Sequence, residues 1–232
     1  MPIVKERSRG YTKLAGAARS FHFDFRGKVV LDIGSSTGGF TQYALDHGAK
    51  KVIAVEKGTN QMMKPLRFDP RIDLHEKTDI FDVSLMDAKT INISGHKGKI
   101  SDFAAEGAER SDIIDRLSLR EAPESFSFCI SKPDIILADV SFVSLKAILK
   151  HARKHLASSH TDFLVMLKPQ FEATPTQLNK GVVKNEKIRR EIIKDFEQWL
   201  KRNNFIIINK RDNSLKGKTG NQERFYWLKR SK

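Results

Sequence analysis

The stretch Val29-Val30-Leu31-Asp32-Ile33-Gly34-Ser35-Ser36-Thr37-Gly38-Gly39-Phe40 constrains this chain more than any other. A short apolar run, interrupted only by Asp32, stops abruptly in a loop of Gly, Ser and Thr. Phe40, Tyr43, Ala44 and His47 then recur at the spacing of one helix face. A strand, a glycine-rich turn and a helix N-terminus bring exposed backbone N–H groups and small side chains together. A nucleoside-containing ligand can approach such a turn closely. The spacing is neither G-x-G-x-x-G nor G-x-x-x-x-G-K-[ST], and no Lys follows to hold a triphosphate. An ordinary tight turn between strand and helix uses the same residue types, so the rest of the chain must decide.

At 232 residues the chain suits one domain, with or without an appendage, and can bury a sizeable core. Its 42 Lys and Arg against 28 Asp and Glu give a formal charge of +14. Such an excess attracts polyanions, nucleic acid first among them, although a well-solvated basic surface has the same composition. The one cysteine, Cys129, excludes an intramolecular disulfide and a Cys-based metal site, and reads as a small buried apolar residue. His151 and His155 stand at i, i+4 without a carboxylate partner, so no metal site is expected. There is no run of membrane-spanning length and no apolar leader with a cleavage site. The sequence therefore predicts a cytoplasmic protein with no membrane partner, and leaves its oligomeric state open.

In chain order, a basic N-terminal segment, residues 1–28, carries Lys5, Arg7 and Arg9 and a helix from Thr12 to Phe21. From spacing alone, Lys13 on that helix reads as a solvated charge. Lys51 to Glu56 reads as a second buried strand, making a right-handed βαβ unit with the first. Glu56 ends it roughly 20 residues beyond the glycines, where an acid can accept hydrogen bonds from ribose hydroxyls. Arg71 to His75 reads as a weaker strand near the sheet edge. After it, the loop Glu76-Lys77-Thr78-Asp79-Ile80 would lie over an adenine, Asp79 facing its exocyclic amine. Residues 84–132 lack a strong strand pattern; Ile113, Ile114 and Leu117 suggest a helix in their middle. With seven Lys and Arg and eight Asp and Glu they hold none of the positive excess, and they read as an insertion. Pro133 to Asp139 is a further strand, continuing into Val140 to Leu145, followed by a helix carrying Leu145, Ile148, Leu149 and Ala152. Asp162 to Lys168 is another, stopped by Pro169. Asn185 to Lys201 is amphipathic, Phe205 to Asn209 a strand, Lys216 to Asn221 a basic hairpin loop, and Glu223 to Leu228 the last strand. Asp32, Glu56, Asp139 and Lys168 all fall at carboxyl ends of strands, where doubly wound sheets bind ligands. Lys216 and Lys218, with Lys5, Arg7 and Arg9, are the predicted phosphate-gripping cations.

The motif Asp32-x-Gly34-x-x-x-Gly38-Gly39 resembles the first motif of class I S-adenosylmethionine-dependent methyltransferases. Ser8-Arg9-Gly10-Tyr11-Thr12-Lys13-Leu14, Ala138-Asp139-Val140-Ser141-Phe142, Lys168-Pro169-Gln170-Phe171-Glu172 and Gly220 to Leu228 complete the pattern. Together these stretches resemble the TlyA (hemolysin A-like) family of FtsJ-like RNA ribose methyltransferases, over almost the whole chain except the insertion.

The resemblance implies an α/β, Rossmann-like class I methyltransferase sheet of about seven strands, mostly parallel with an antiparallel final strand, and helices on both faces. It implies S-adenosyl-L-methionine as cofactor, held by Asp32, Gly34, Ser35, Ser36, Thr37, Gly38, Gly39, Phe40, Glu56, Lys57, Thr78, Asp79 and Asp139. It also implies a catalytic tetrad of Lys13, Asp139, Lys168 and Glu223, with Lys168 the base or orienting group, acting without metal on a ribose 2′-hydroxyl of structured, ribosomal RNA. Two departures stand out. The chain starts almost at the catalytic domain, without the S4-like domain usual in the family, and Tyr11 replaces a glycine of the first motif. A base or protein side chain as acceptor, or a non-catalytic RNA-binding assembly factor, are the competing readings. Asp139-Val140-Ser141-Phe142, in place of an Asn/Asp-Pro-Pro-aromatic motif, argues against a base. No segment suits membrane lysis.

Overall fold

The computed structural model describes residues 7–85, 90–93, 96–99, 128–217 and 219–231. Its centre is a seven-stranded sheet in the order β10-β11-β9-β8-β1-β2-β3. The strands are β1 (Val29–Ile33), β2 (Lys51–Val55), β3 (Ile72–His75), β8 (Ile135–Ala138), β9 (Asp162–Leu167), β10 (Phe205–Asp212) and β11 (Arg224–Arg230). All neighbours pair in parallel except β11, which runs antiparallel to both β9 and β10. The expected sheet is present, with β3 at its edge.

Side-chain alternation divides the core in two. Leu31, Ile33, Ile53, Ile136, Phe163, Val165 and Leu167 face one way, against α4 (Leu145–His155) and α5 (Glu186–Arg202). Val30, Val52, Ile135, Leu137, Leu164 and Met166 face the other, against α1 (Arg9–Phe21) and α2 (Gly39–Asp46). α4 buries Leu145, Ile148, Leu149 and Ala152, the stripe its sequence spacing predicts. On α5, Ile192, Phe196 and Leu200 are buried, with Asn185 capping the first turn.

Four local expectations change. α1 begins at Arg9, because the Ser8 side chain accepts a hydrogen bond from Tyr11 N and caps it there. The strand before Asp139 ends at Ala138 and does not run on to Leu145; Phe142 has a left-handed φ of 64°, which extended backbone excludes. β10 reaches Asp212, with its register against β11 shifting between Ile207 and Asn209. Residues 84–132 are not without strands: β4 (Val83–Leu85) pairs in parallel with β7 (Phe128–Ile130), and β5 (Thr90–Ile93) pairs antiparallel with β6 (His96–Lys99). These runs are three or four residues long, too short for periodicity to reveal. A single-turn helix, α3 (Lys64–Arg67), also lacked a sequence signal. The helix expected around Ile113, and the Cys129 side chain, lie outside the described residues.

Candidate functional site

The carboxyl ends of β1, β2 and β8 open into a cleft of about 710 Å³. Of the predicted cofactor contacts, Gly34, Ser36, Glu56, Lys57, Thr78, Asp79 and Asp139 line it. Ile33, Val55, Ile80, Val143 and Ile148 supply apolar walls between these polar groups.

The glycine loop is shaped by close approaches. Gly34, at a left-handed φ of 77°, would bring a side chain to 3.3 Å from the Asp139 carbonyl, so both its backbone and the close approach of the β8 end favour glycine. Gly39 serves α1 instead: a Cβ there would overlap Ser8 Oγ and lie 2.7 Å from Tyr11 N. Ser35 is buried, Thr37 is exposed, and Phe40 packs on Phe225 at 6.0 Å between ring centroids; with Gly38 and Gly39 they stand outside the cleft lining. Tyr11, the departure from the family motif, is buried edge-on against Tyr43 at 5.1 Å.

Asp32 lies behind the loop, fully buried and facing α2. Its Oδ2 accepts a hydrogen bond from Thr41 Oγ1 at 2.7 Å, and Oδ1 has no partner. Burial pushes its carboxyl up to about 7, against the Thr41 hydrogen bond and with a smaller upward contribution from Asp139. Glu56 ties two loops together: Oε2 accepts from Ser36 N at 2.9 Å, and Oε1 from Gly58 N at 2.7 Å and Gln61 Nε2 at 3.3 Å. Only Oε2 then keeps a free lone pair for a hydroxyl donor. Asp79 accepts from Phe81 N at 3.2 Å and pairs with Lys57 Nζ at 2.8 Å across the mouth of the cleft. Gln61, which sequence reasoning missed, also accepts from Ser36 Oγ.

The four residues of the expected tetrad form two ion pairs. Lys13 Nζ lies 2.6 Å from Glu223 Oε2, both side chains almost enclosed. Lys168 Nζ lies 2.7 Å from Asp139 Oδ1 and directs its hydrogen bond to Ser141 Oγ at 2.9 Å. The distance to Asp139 is an ion-pair distance without hydrogen-bond direction, which leaves Oδ1 without a directed donor. The pairs are neighbours through the sheet. Arg224 is opposite Leu167 in the β9–β11 ladder, so the next step places Glu223 opposite Lys168. Lys13 is thus buried and paired, not the solvated charge its spacing suggests.

Three further residues complete the rim. Phe142 is 93% exposed and packs 5.3 Å from Phe171, whose ring lies 5.9 Å from Lys168 Nζ. Glu172 accepts from Ser144 Oγ and Leu145 N, both at 2.7 Å, and so anchors the start of α4; burial holds its carboxyl above the usual range despite those donors. Of the predicted phosphate-gripping cations, Arg7 lies over the Tyr11 ring and Arg9 donates to the Lys216 carbonyl at 2.7 Å, joining the N-terminal segment to the hairpin loop. Lys5 and Lys218 lie outside the described residues.

The FtsJ-like methyltransferase family model matches residues 6–230. The chain belongs to this family. It is an S-adenosylmethionine-dependent methyltransferase. Among its relatives, the 16S/23S rRNA (cytidine-2'-O)-methyltransferase TlyA of Mycobacterium tuberculosis is 30% identical over 223 residues, covering 96% of this chain and 68% of the relative. Hemolysin A of Brachyspira hyodysenteriae is 31% identical over 222 residues, 95% of this chain and 75% of that protein. A solved structure of a candidate hemolysin from Streptococcus thermophilus superposes with a TM-score of 0.73 at 27% identity, covering 99% of this chain and 69% of that one. Among the described residues no helix is long and apolar enough to cross a membrane.

The cleft fits the family's cofactor. Its apolar walls suit a purine, the free Oε2 lone pair of Glu56 suits a ribose hydroxyl, and the Asp139 carboxylate on the lining suits a sulfonium.

Proposed function

We propose that this FtsJ-like methyltransferase is cytoplasmic and methylates a ribose 2′-hydroxyl of ribosomal RNA, the reaction after which its Mycobacterium relative is named. The observation that carries the reading is the Lys168–Asp139 pair at the cleft rim with the Lys13–Glu223 pair beside it. A ribose hydroxyl is a weak nucleophile and must be aligned while it loses its proton. S-adenosylmethionine, when bound, supplies an electrophilic methyl group and leaves as a neutral thioether.

Glu56, Ser36 and Gly34 would hold the nucleoside part of the cofactor, and Thr78 with Asp79 would bound its adenine. Lys168 meets the acceptor oxygen. The proton leaving that oxygen is taken up by the Lys168–Asp139 pair: Nζ first gives one of its own protons to Asp139 Oδ1, and the neutral amine so formed takes the hydroxyl proton. Ser141 fixes the rotamer of Lys168, and Glu223 holds Lys13 where a neighbouring phosphate can be gripped. Phe142 offers an open ring face beside the reacting groups, suited to stacking with the acceptor's base. Arg7, Arg9 and Lys216 continue the positive surface outward.

Incubation with labelled cofactor and purified bacterial ribosomal subunits, followed by nucleotide mapping, tests the assignment. A 2′-O-methyl nucleotide is expected. Label on a base, or none on any RNA, overturns it.

A further inference from the structure

From Val140 to Thr161 there is no acidic residue, while Lys146, Lys150, Arg153 and Lys154 supply four fixed positive charges. All four fall on α4. Lys146 is neutralised by Asp195 of α5. Lys150, Arg153 and Lys154 have no anionic partner among the described residues, and Arg153 Nε is shielded from water with nothing to bond. Lys150 and Lys154 are exposed one helical turn apart, with Arg153 beside them.

The start of this helix is part of the cleft. Phe142, Val143 and Ile148 line it, and Glu172 anchors the first turn. At 1.5 Å per residue, the unpaired cations lie from about 8 to about 14 Å along the axis from Leu145, leading away from the rim. On the inner side the helix is packed on the sheet through Leu145, Ile148, Leu149 and Ala152, and among the described residues nothing covers Lys150 and Lys154 on its outer side. Arg153 and Lys154 also lie in the last turn, where positive charge favours the helix dipole. Lys150 does not, and a dipole role leaves it unexplained.

We propose that the outer face of α4 is a second RNA-contacting surface, with Lys150, Arg153 and Lys154 gripping phosphates of the strand that continues beyond the acceptor nucleotide. It belongs to the face of the sheet opposite α1, and it is separate from the Arg7, Arg9 and Lys216 surface. The inference rests on the proposed RNA substrate. An RNA strand held by both surfaces is gripped on either side of the cleft, which orients it as well as attracting it.

The test is equilibrium binding of fluorescein-labelled ribosomal RNA to the full chain and its variants across a range of salt. The double variant Lys150→Gln/Lys154→Gln should lower the slope of log affinity against log salt by about 2, one for each lost phosphate contact. Between 50 and 200 mM salt the parent's affinity should accordingly fall about 16-fold further than the variant's. A matched control, Lys28→Gln/Lys50→Gln, removes the same charge from exposed sites at the opposite ends of β1 and β2 and should leave the slope near the parent's. Both variants should keep the parent's melting temperature and cofactor affinity. An unchanged slope in the α4 variant, equal losses in both variants, or a parent that binds no RNA would overturn the proposal. Because the readout is binding, failure of the methyl-transfer assignment shows separately, as bound RNA that carries no 2′-O-methyl group.

Discussion

Lys13 and Glu223, at the two ends of the chain, meet as a buried ion pair 2.6 Å apart. Neither residue is placed by its own neighbours. Lys13 is carried in by α1, whose first turn is seated on Gly39 of the cofactor loop. Glu223 is carried in by β11, which pairs with β9 and brings it opposite Lys168. Asn213, buried at the end of β10, donates to the same carboxylate at 3.4 Å. This ion pair is therefore assembled only when α1 and β11 have both packed on the sheet.

That pairing makes a stability prediction. Replacing Lys13 by Ala leaves Glu223 buried without its counter-charge, and should cost about 3–5 kcal/mol. Lys13→Met/Glu223→Leu removes both charges and should recover most of that loss, yet remain inactive in methyl transfer. Urea denaturation beside a transfer assay reads the two effects separately. Recovery of activity in the double variant would contradict the assigned role.

Lys168 is predicted to act on the acceptor alone. Lys168→Ala should reduce transfer by about 10²–10⁴-fold, the range of a positioned proton-transfer group. Its side chain lies outside the cofactor cleft, so cofactor affinity measured by calorimetry should remain within a few-fold of the parent's. Full activity would remove Lys168 from the mechanism.

Asp32 predicts a pH dependence of stability. Its carboxyl is raised by burial from 3.8 to about 7, so between these values the unfolded chain ionises while the folded one stays protonated. This contribution to stability is fully present below about pH 4 and is lost as pH rises through 7. Asp32→Asn, with no carboxyl to ionise, should gain stability relative to the parent as pH is raised across that window. Thr41→Val removes the donor that favours the ionised form, and should extend the window upward. Chemical denaturation at half-unit pH intervals measures both; parallel curves for parent and Asp32→Asn would contradict the burial argument.

Gly39→Ala separates packing from ligand contact. Its Cβ meets the backbone at Tyr11 and must displace the start of α1. A lowered melting temperature and a reduced rate are expected, with cofactor affinity largely kept, since Gly39 does not line the cleft. Loss of cofactor binding as the main effect would return Gly39 to the ligand site.

What the sequence made legible follows from the range of the interactions involved. The sheet strands and the α4 and α5 stripes could be read because alternation and helical spacing are local patterns. Glu56 and Asp139 could be placed because a doubly wound sheet puts strand ends together. Lys13 could not be read from spacing: its burial comes from β11, and only the family pattern assigned it. The roles of Gly38 and Gly39 were blurred because a glycine reports that something comes close, not whether it is ligand or protein. Ser141 and Phe142 stood inside a recognised motif, yet the strand reading ran through them. The left-handed turn at Phe142 that exposes its ring has no residue-type signature, since phenylalanine seldom adopts it.

The central claim is that the Lys168–Asp139 pair, beside Lys13 and Glu223, activates a ribose hydroxyl of ribosomal RNA. It is tested most directly by incubating purified ribosomal subunits with labelled cofactor and either the parent chain or Lys168→Ala, then mapping the modified nucleotide. The account predicts a single class of product, a 2′-O-methyl nucleotide, made by the parent and absent with the variant. A methyl group on a base, or equal 2′-O-methylation by both proteins, would contradict it.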